Sequence, residues 1–256
     1  MTETSFDPTT ALATVRARID DAARSAGRDP ATITLVAVGK THPPSRLAAL
    51  VRAGVADLGE NRVAELTAKL AIADQAEVAP FDALRAVRWH FIGRLQSRKA
   101  RDLVGRDVLV HSVDRPSLVD ELDSRAGRAG TPQRVLVQVN VGDDPAKGGC
   151  GLHEVDELVA YACQRPNLHV EGLMTVPPMP PEGADPVAAT APHFAALRAA
   201  RDRVVSDWPD VRELSMGMTA DLEAAVAEGA TIVRVGTALF GPRGNGPWTG
   251  PRSGGL

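Results

Sequence analysis

The chain is short of several things, and each shortage removes a class of function. Cysteine occurs twice, at Cys150 and Cys163, too seldom for a disulfide framework or an all-cysteine zinc site, and in keeping with a reducing compartment. Tyrosine occurs once, at Tyr161, and lysine four times, at Lys40, Lys69, Lys99 and Lys147, among 29 basic residues. Chemistry that needs a lysine amine therefore has four candidates. No run of eighteen apolar residues occurs, and Met1 to Pro8 lacks the basic-then-apolar pattern of a signal peptide, which predicts a cytoplasmic protein with no membrane partner. The histidines, His42, His90, His111, His153, His169 and His193, show no H-E-x-x-H spacing, so no metal is predicted. A net charge of −3 supplies no overall field for nucleic acid. An anionic ligand has to be held locally.

What is present reads as one packed globular unit, with 44% apolar and 24% charged residues. Leu12, Val15 and Ile19 fall at helical spacing and Gly27 follows as a stop, predicting a leading helix over 9–26. A compact apolar run from Ile33 to Val38 ends at Gly39 and Lys40, and a helical stretch then follows Pro43 and Pro44 to Ala53. The alternation continues with strands at Asp57–Asn61, Arg88–Gly93, Val108–Asp114, Arg134–Val141, His169–Val176, Arg212–Gly217 and Thr231–Phe240, with late helices at about 187–206 and 219–228. Eight strands in this length predict an α/β protein, a single (β/α)8 TIM barrel with an extra N-terminal helix, whereas a doubly wound sheet normally needs five or six. The barrel is expected over 1–242, a flexible Gly and Pro-rich tail over 243–256, and a long loop from Pro177 to Thr190.

Barrel chemistry sits at the C-terminal ends of the strands, and that rule selects the candidates. Lys40 shares a strand face with Val38, Val36 and Thr34, the expected lumen. An amine among apolar walls and near another cation loses basicity and becomes a nucleophile toward carbonyls; the plainer alternative is a solvated strand-end lysine. Arg234 lies on the face of Ile232 and Gly236, opposite Val233 and Val235, so its guanidinium is buried and needs an acceptor. Glu213 or Asp114 would serve, and so would a ring nitrogen of a bound heterocycle. Ser215-Met-Gly-Met-Thr219 and Gly236-Thr237 occupy the corner where barrels commonly bind phosphate, with a helix expected from Thr219; a helix cap and ordinary turns are the alternative. Asn61 and His90 suit an aldehyde-side hydroxyl or a supporting network. Met174, Met216 and Met218 suit the face of a flat ring, or else gaps in the core.

At this point the residues resemble a known family, the pyridoxal phosphate homeostasis proteins, or YggS-like group, over nearly the whole chain. The resemblance rests on Val38-Gly-Lys40, Leu58-Gly-Glu-Asn-Arg62, Trp89-His-Phe-Ile-Gly93 with Leu95-Gln96, His111-Ser-Val-Asp114, Gly172-Leu-Met174, Leu214-Ser-Met-Gly-Met218 and Val233-Arg-Val-Gly236, in family order. It implies a barrel like the N-terminal domain of alanine racemase, with pyridoxal 5'-phosphate held as a Schiff base on Lys40. It further implies Arg234 at the pyridine nitrogen and Ser215, Gly236 and Thr237 at the phosphate, with Asn61, His90, Met174, Met216 and Gly217 completing the cofactor-binding set. Arg98 stands where the family often has Asn, Asp144 where Glu is frequent, and Thr219 where Ser is common.

Two functions compete: intracellular homeostasis, in which the cofactor is buffered or delivered to apo enzymes without turnover, and amino-acid racemisation. A racemase of the related fold needs a second acid-base group opposite the lysine, typically a tyrosine from a further domain, and Tyr161 falls in a predicted helix. A non-catalytic monomer is therefore expected. A lysine-dependent aldolase is disfavoured, because no lysine closely follows Met174 and Thr175.

Overall fold

The computed structural model describes residues 6–75, 81–241 and 248; the expected tail lies outside the described residues except for Trp248. In chain order the elements are α1 (Pro8–Ser25), β1 (Thr34–Val38), α2 (Pro44–Arg52), β2 (Asp57–Glu60), α3 (Val63–Gln75), β3 (Arg88–Phe91), β4 (Val108–Val113), α4 (Pro116–Ala129), β5 (Gln133–Asn140), β6 (Cys150–Gly151), α5 (Val155–Cys163), β7 (Leu168–Met174), α6 (Pro186–Val204), β8 (Glu213–Ser215), α7 (Leu222–Ala227), β9 (Ile232–Val235) and α8 (Thr237–Phe240). Every ladder is parallel, and the ring runs β1-β2-β3-β4-β5-β7-β8-β9 and back to β1. It is a closed eight-stranded barrel. β6 is a two-residue extension that pairs only with the end of β5, outside the ring. The leading helix is capped by the Asp7 side chain and lays Leu12, Val15, Ile19 and Ala23 inward, packing on α7 and α8 and so covering the seam where β9 meets β1.

Several boundaries differ from the sequence expectation, each for a local reason. The last strand stops at Val235 and α8 begins at Thr237, because the apolar run to Phe240 spans a short strand and one helical turn that share the same core. α7 starts at Leu222, not near Thr219: the Asp221 carboxylate accepts the Met218 N–H at 2.6 Å, which holds Met218 to Ala220 as a loop. Pro186 to Thr190 is already helical, with Asp185 as the cap, so the loop after β7 is shorter than expected. Between β3 and β4 only a 3-10 turn, Ser97–Asp102, replaces the usual helix.

Period-two alternation sorts the strand residues into two cores. Outward-facing positions such as Ala37, Leu58, Phe91, Val110, Val137, Leu173, Leu214 and Val233 form one large cluster with the helices. The lumen holds a small apolar group, Val36, Leu109, Leu136, Met174 and Ile232. The remaining lumen positions are polar, and they lead to the site.

Candidate functional site

The turn after β1 presents Lys40, and α3 pins that turn from behind. Lys69 donates from Nζ to the Gly39 carbonyl at 3.0 Å and to the Glu60 carboxylate. One helical turn earlier, Glu65 accepts the Thr41 N–H at 2.9 Å. The peptides on either side of Lys40 are thus both held from one face of one helix. Thr41 adopts a left-handed φ of 68°, unusual for a β-branched residue and sustained only where its surroundings over-determine it. Lys69 is 0% exposed and lies 5.5 Å from the centre of the Trp248 ring. Burial pushes the Glu60 carboxyl up to about 7, and Lys69 offsets part of that rise.

Lys40 lines a cavity of about 460 Å³ at the C-terminal mouth of the barrel. Asn61, Gly93, Arg234, Gly236 and Thr237 line it too, together with His42, Val176 and Thr219. Of the four lysines it alone does so: Lys69 is enclosed beneath the turn, Lys99 pairs with Asp102 at 3.6 Å, and Lys147 donates to the Val176 and Pro177 carbonyls. A larger groove of about 1190 Å³ runs between α3 and the Ser97–Asp102 turn, on the outer wall rather than at the strand ends where this fold places its chemistry.

Arg234 forms part of the floor. It is 3% exposed, and its guanidinium donates to Ser215 Oγ at 2.6 Å and to the Thr175 carbonyl at 2.8 Å. Neither carboxylate suggested by the sequence reaches it, because Glu213 accepts from Thr231 Oγ1 and Asp114 pairs with Arg115. Burial pulls its pKa down to about 10, with Asp221 acting in the opposite direction. A buried cation whose direct partners are neutral oxygens keeps attraction to spare for an acceptor arriving in the cavity. On the cavity wall, the side-chain oxygen of Asn61 is buried without a hydrogen-bond partner. Gly93 makes room there, since a Cβ at that position would stand 2.0 Å from the Asn61 carbonyl oxygen.

The structure therefore gathers Lys40, Asn61, Met218, Thr219, Arg234, Gly236 and Thr237 around one cavity, and places His90, Met174, Ser215, Met216 and Gly217 elsewhere. Ser215 and His90 lie in the lumen beneath it; Ser215 Oγ is shared between Arg234 and His111, and His90 between Asp57 and His111. Met174 fills the apolar half of the lumen. Met216 turns its side chain into the outer core. Gly217 links strand ends: it accepts the Arg234 N–H at 2.9 Å, and its φ of 90° with Ala225 2.4 Å from a would-be Cβ leaves space for glycine alone.

Sequence reasoning assigned no role to His42 or Glu65, and took Lys69 only as one of four candidate amines. His42 stacks on Phe240 with ring centres 4.8 Å apart, and burial, reinforced by Arg46 and Lys69, lowers its pKa and favours the neutral ring. Lys69 had a legible signal, since it falls on the buried stripe of α3 with Leu66, Leu70 and Ala73. A cation there requires a partner inside.

A family model for the N-terminal domain of alanine racemase matches residues 11–244, and the chain belongs to that family. Within it, the chain is a member of the pyridoxal phosphate homeostasis proteins. It is 40% identical over 235 residues to the protein of that name from Aquifex aeolicus, covering 91% of this chain and 96% of the relative. It is 41% identical to the Pseudomonas aeruginosa protein, covering 92% and 95%. Among solved structures it is similar to PipY of Synechococcus elongatus PCC7942 with PLP bound, at 32% identity and a TM-score of 0.75, covering 92% of this chain and all (100%) of that one. Alanine racemase of Clostridium difficile 630 shares the fold at 14% identity and a TM-score of 0.67, with 90% of this chain matched to 56% of that one. Among the described residues no helix is long and apolar enough to cross a membrane.

Proposed function

We propose that this chain holds pyridoxal 5'-phosphate reversibly on Lys40 and keeps it available to apo enzymes in the cytoplasm, as a monomer without turnover of its own. The observation that carries the reading is the pairing of a lysine amine on the cavity wall with a buried guanidinium on its floor that, among the described residues, no carboxylate contacts. Pyridoxal 5'-phosphate supplies an aldehyde that an amine takes up with loss of water, and a ring able to withdraw electrons. Lys40 provides the amine, its backbone already fixed by Glu65 and Lys69. Arg234 offers its N–H groups to the ring nitrogen, and because guanidinium stays cationic it disfavours a proton there, which weakens the ring as an electron sink. Gly236, Thr237 and Thr219 provide N–H and hydroxyl donors for the phosphate end. The orphaned Asn61 oxygen gains a partner on the aldehyde side.

Racemisation, the competing reading, requires a second proton-transfer group facing Lys40. The one tyrosine of the chain sits on α5, where its hydroxyl donates to Asp120 at 2.8 Å and Arg165 stacks 4.0 Å over its ring. Purified protein supplied with pyridoxal 5'-phosphate is expected to be yellow, and Lys40→Ala to remove the visible band; a band of undiminished intensity in the variant would refute the assignment of Lys40. Incubation of the loaded protein with L-alanine and other amino acids, followed by chiral analysis, is expected to show no sustained racemisation. Sustained racemisation would overturn the non-catalytic reading.

A further inference from the structure

A single file of hydrogen bonds crosses the barrel lumen from the opposite rim to Arg234. At the N-terminal rim, Arg88 opens β3 with its side chain 58% exposed and grips the first residue of β2, Asp57, through two bonds of 2.7 Å. Asp57 Oδ1 lies 3.0 Å from His90 Nε2, His90 Nδ1 lies 2.9 Å from His111 Nε2, and His111 Nδ1 lies 2.9 Å from Ser215 Oγ. Ser215 then accepts from Arg234 at 2.6 Å. The step from β4 to β8 joins strands that are not neighbours in the ring, so it passes through the lumen itself. Asp57, His90, His111, Ser215 and Arg234 are all buried.

The two ends of the file dictate the proton on every atom between them. A carboxylate only accepts and a guanidinium only donates. Asp57 therefore takes the proton on His90 Nε2, which in a neutral ring leaves His90 Nδ1 an acceptor. His111 must then carry its proton on Nε2, which leaves its Nδ1 to accept from the Ser215 hydroxyl. The Ser215 oxygen is left to receive the Arg234 N–H. With both imidazoles neutral, every donor points the same way, from the cation to the anion. Burial, reinforced by Arg234 and Arg134, disfavours a second proton on His111, while His90 faces Asp57 on one side and His111 on the other.

From this ordering we propose that Asp57, His90, His111 and Ser215 are positioning residues. They hold the Arg234 guanidinium in one orientation, and so set the protonation of the bound cofactor ring from the far end of the barrel. The proposal deepens the reading of Arg234 given above and rests on it for the ring. It also accounts for the placement of Ser215, whose hydroxyl is committed to the lumen and not to a phosphate.

Two measurements test it. In the apo protein, 15N spectra of the imidazoles are expected to show one proton on each of His90 and His111, on Nε2 in both, at neutral pH. A Nδ1–H form of His111, or a doubly protonated His90, would overturn the ordering, and this arm needs neither ligand nor variant. In protein loaded with pyridoxal 5'-phosphate, Ser215→Ala removes one oxygen and breaks the file at its upper end. It is expected to keep the visible band, weaken binding roughly threefold to tenfold, and move the pH midpoint of that band by roughly half a unit or more. Asp57→Asn, far from the cavity, is expected to move the midpoint in the same direction by a smaller amount. If both variants keep the wild-type midpoint and affinity, the proposal is wrong. If the wild-type chain does not take up the cofactor at all, the functional reading falls, and the spectra of the apo protein still decide the proton order.

Discussion

Lys69 and Arg234 are both cations buried in this barrel, on opposite faces of its wall. Lys69 lies between β2 and α3 with the Glu60 carboxylate as counter-ion and a backbone carbonyl as second acceptor. Arg234 lies in the lumen with a hydroxyl and a carbonyl as its direct partners, its nearest file-mate of opposite charge being Asp57, four hydrogen bonds away. The first arrangement is electrostatically closed. It holds a turn still and offers nothing to a ligand. The second is open, and it is the one that faces a cavity. What separates the closed buried charge from the open one here is the location of the counter-ion, not the depth of burial.

The sharpest way to break this contrast is to delete each cation in turn. Lys69→Met leaves Glu60 buried without its partner, which is expected to cost about 3–5 kcal/mol and to lower the thermal midpoint on the order of 10 °C, measured by denaturant and thermal unfolding. If Lys69→Met is as stable as wild type, the closed pair is not what secures the Lys40 turn. Arg234→Met strands only neutral groups and is expected to cost less stability than Lys69→Met, while weakening cofactor binding roughly tenfold to a hundredfold; equal losses of stability in the two variants would erase the distinction. Glu60 sharpens it through pH. Its carboxyl holds a proton up to about 7 in the folded chain, against an ordinary value of 4.5. The folded state therefore binds more protons between those values, and its contribution to stability falls as pH rises through that window. Glu60→Gln should flatten this part of the stability profile, and an unchanged slope would place its origin elsewhere. The smallest effect is expected at the exposed end of the lumen file, where Arg88→Ala should change stability by less than about 1 kcal/mol.

How far these features were legible depended on whether their cause was local. Alternation along Thr-Ile-Val-Arg-Val-Gly was enough to turn Arg234 toward the lumen, because that periodicity belongs to one strand. Lys40 was legible for the same reason, at the end of an apolar run on the face of Val36 and Val38. Eight apolar segments at this spacing announced the barrel, although the two-residue β6 and the helix that replaces the end of the last strand were not separable by pattern. Ser215 reads toward a phosphate from the Ser215-Met-Gly-Met-Thr219 stretch and Gly236-Thr237, whereas its hydroxyl is claimed by His111, 104 residues away in the chain. Which partner meets a short polar side chain across a lumen depends on the register of ladders that no local window contains. Glu60 and Lys69 stand only nine residues apart, yet their meeting depends on how α3 packs over β2, and a glutamate at a strand end carries no mark of its burial.

One helix face decides where the Lys40 amine stands. Because Glu65 and Lys69 fasten the peptide groups flanking Lys40, a small slide or roll of α3 along the barrel wall drags those peptide groups with it. The seating of that helix and the aim of the amine are mechanically a single coordinate, as a lever and its tip are.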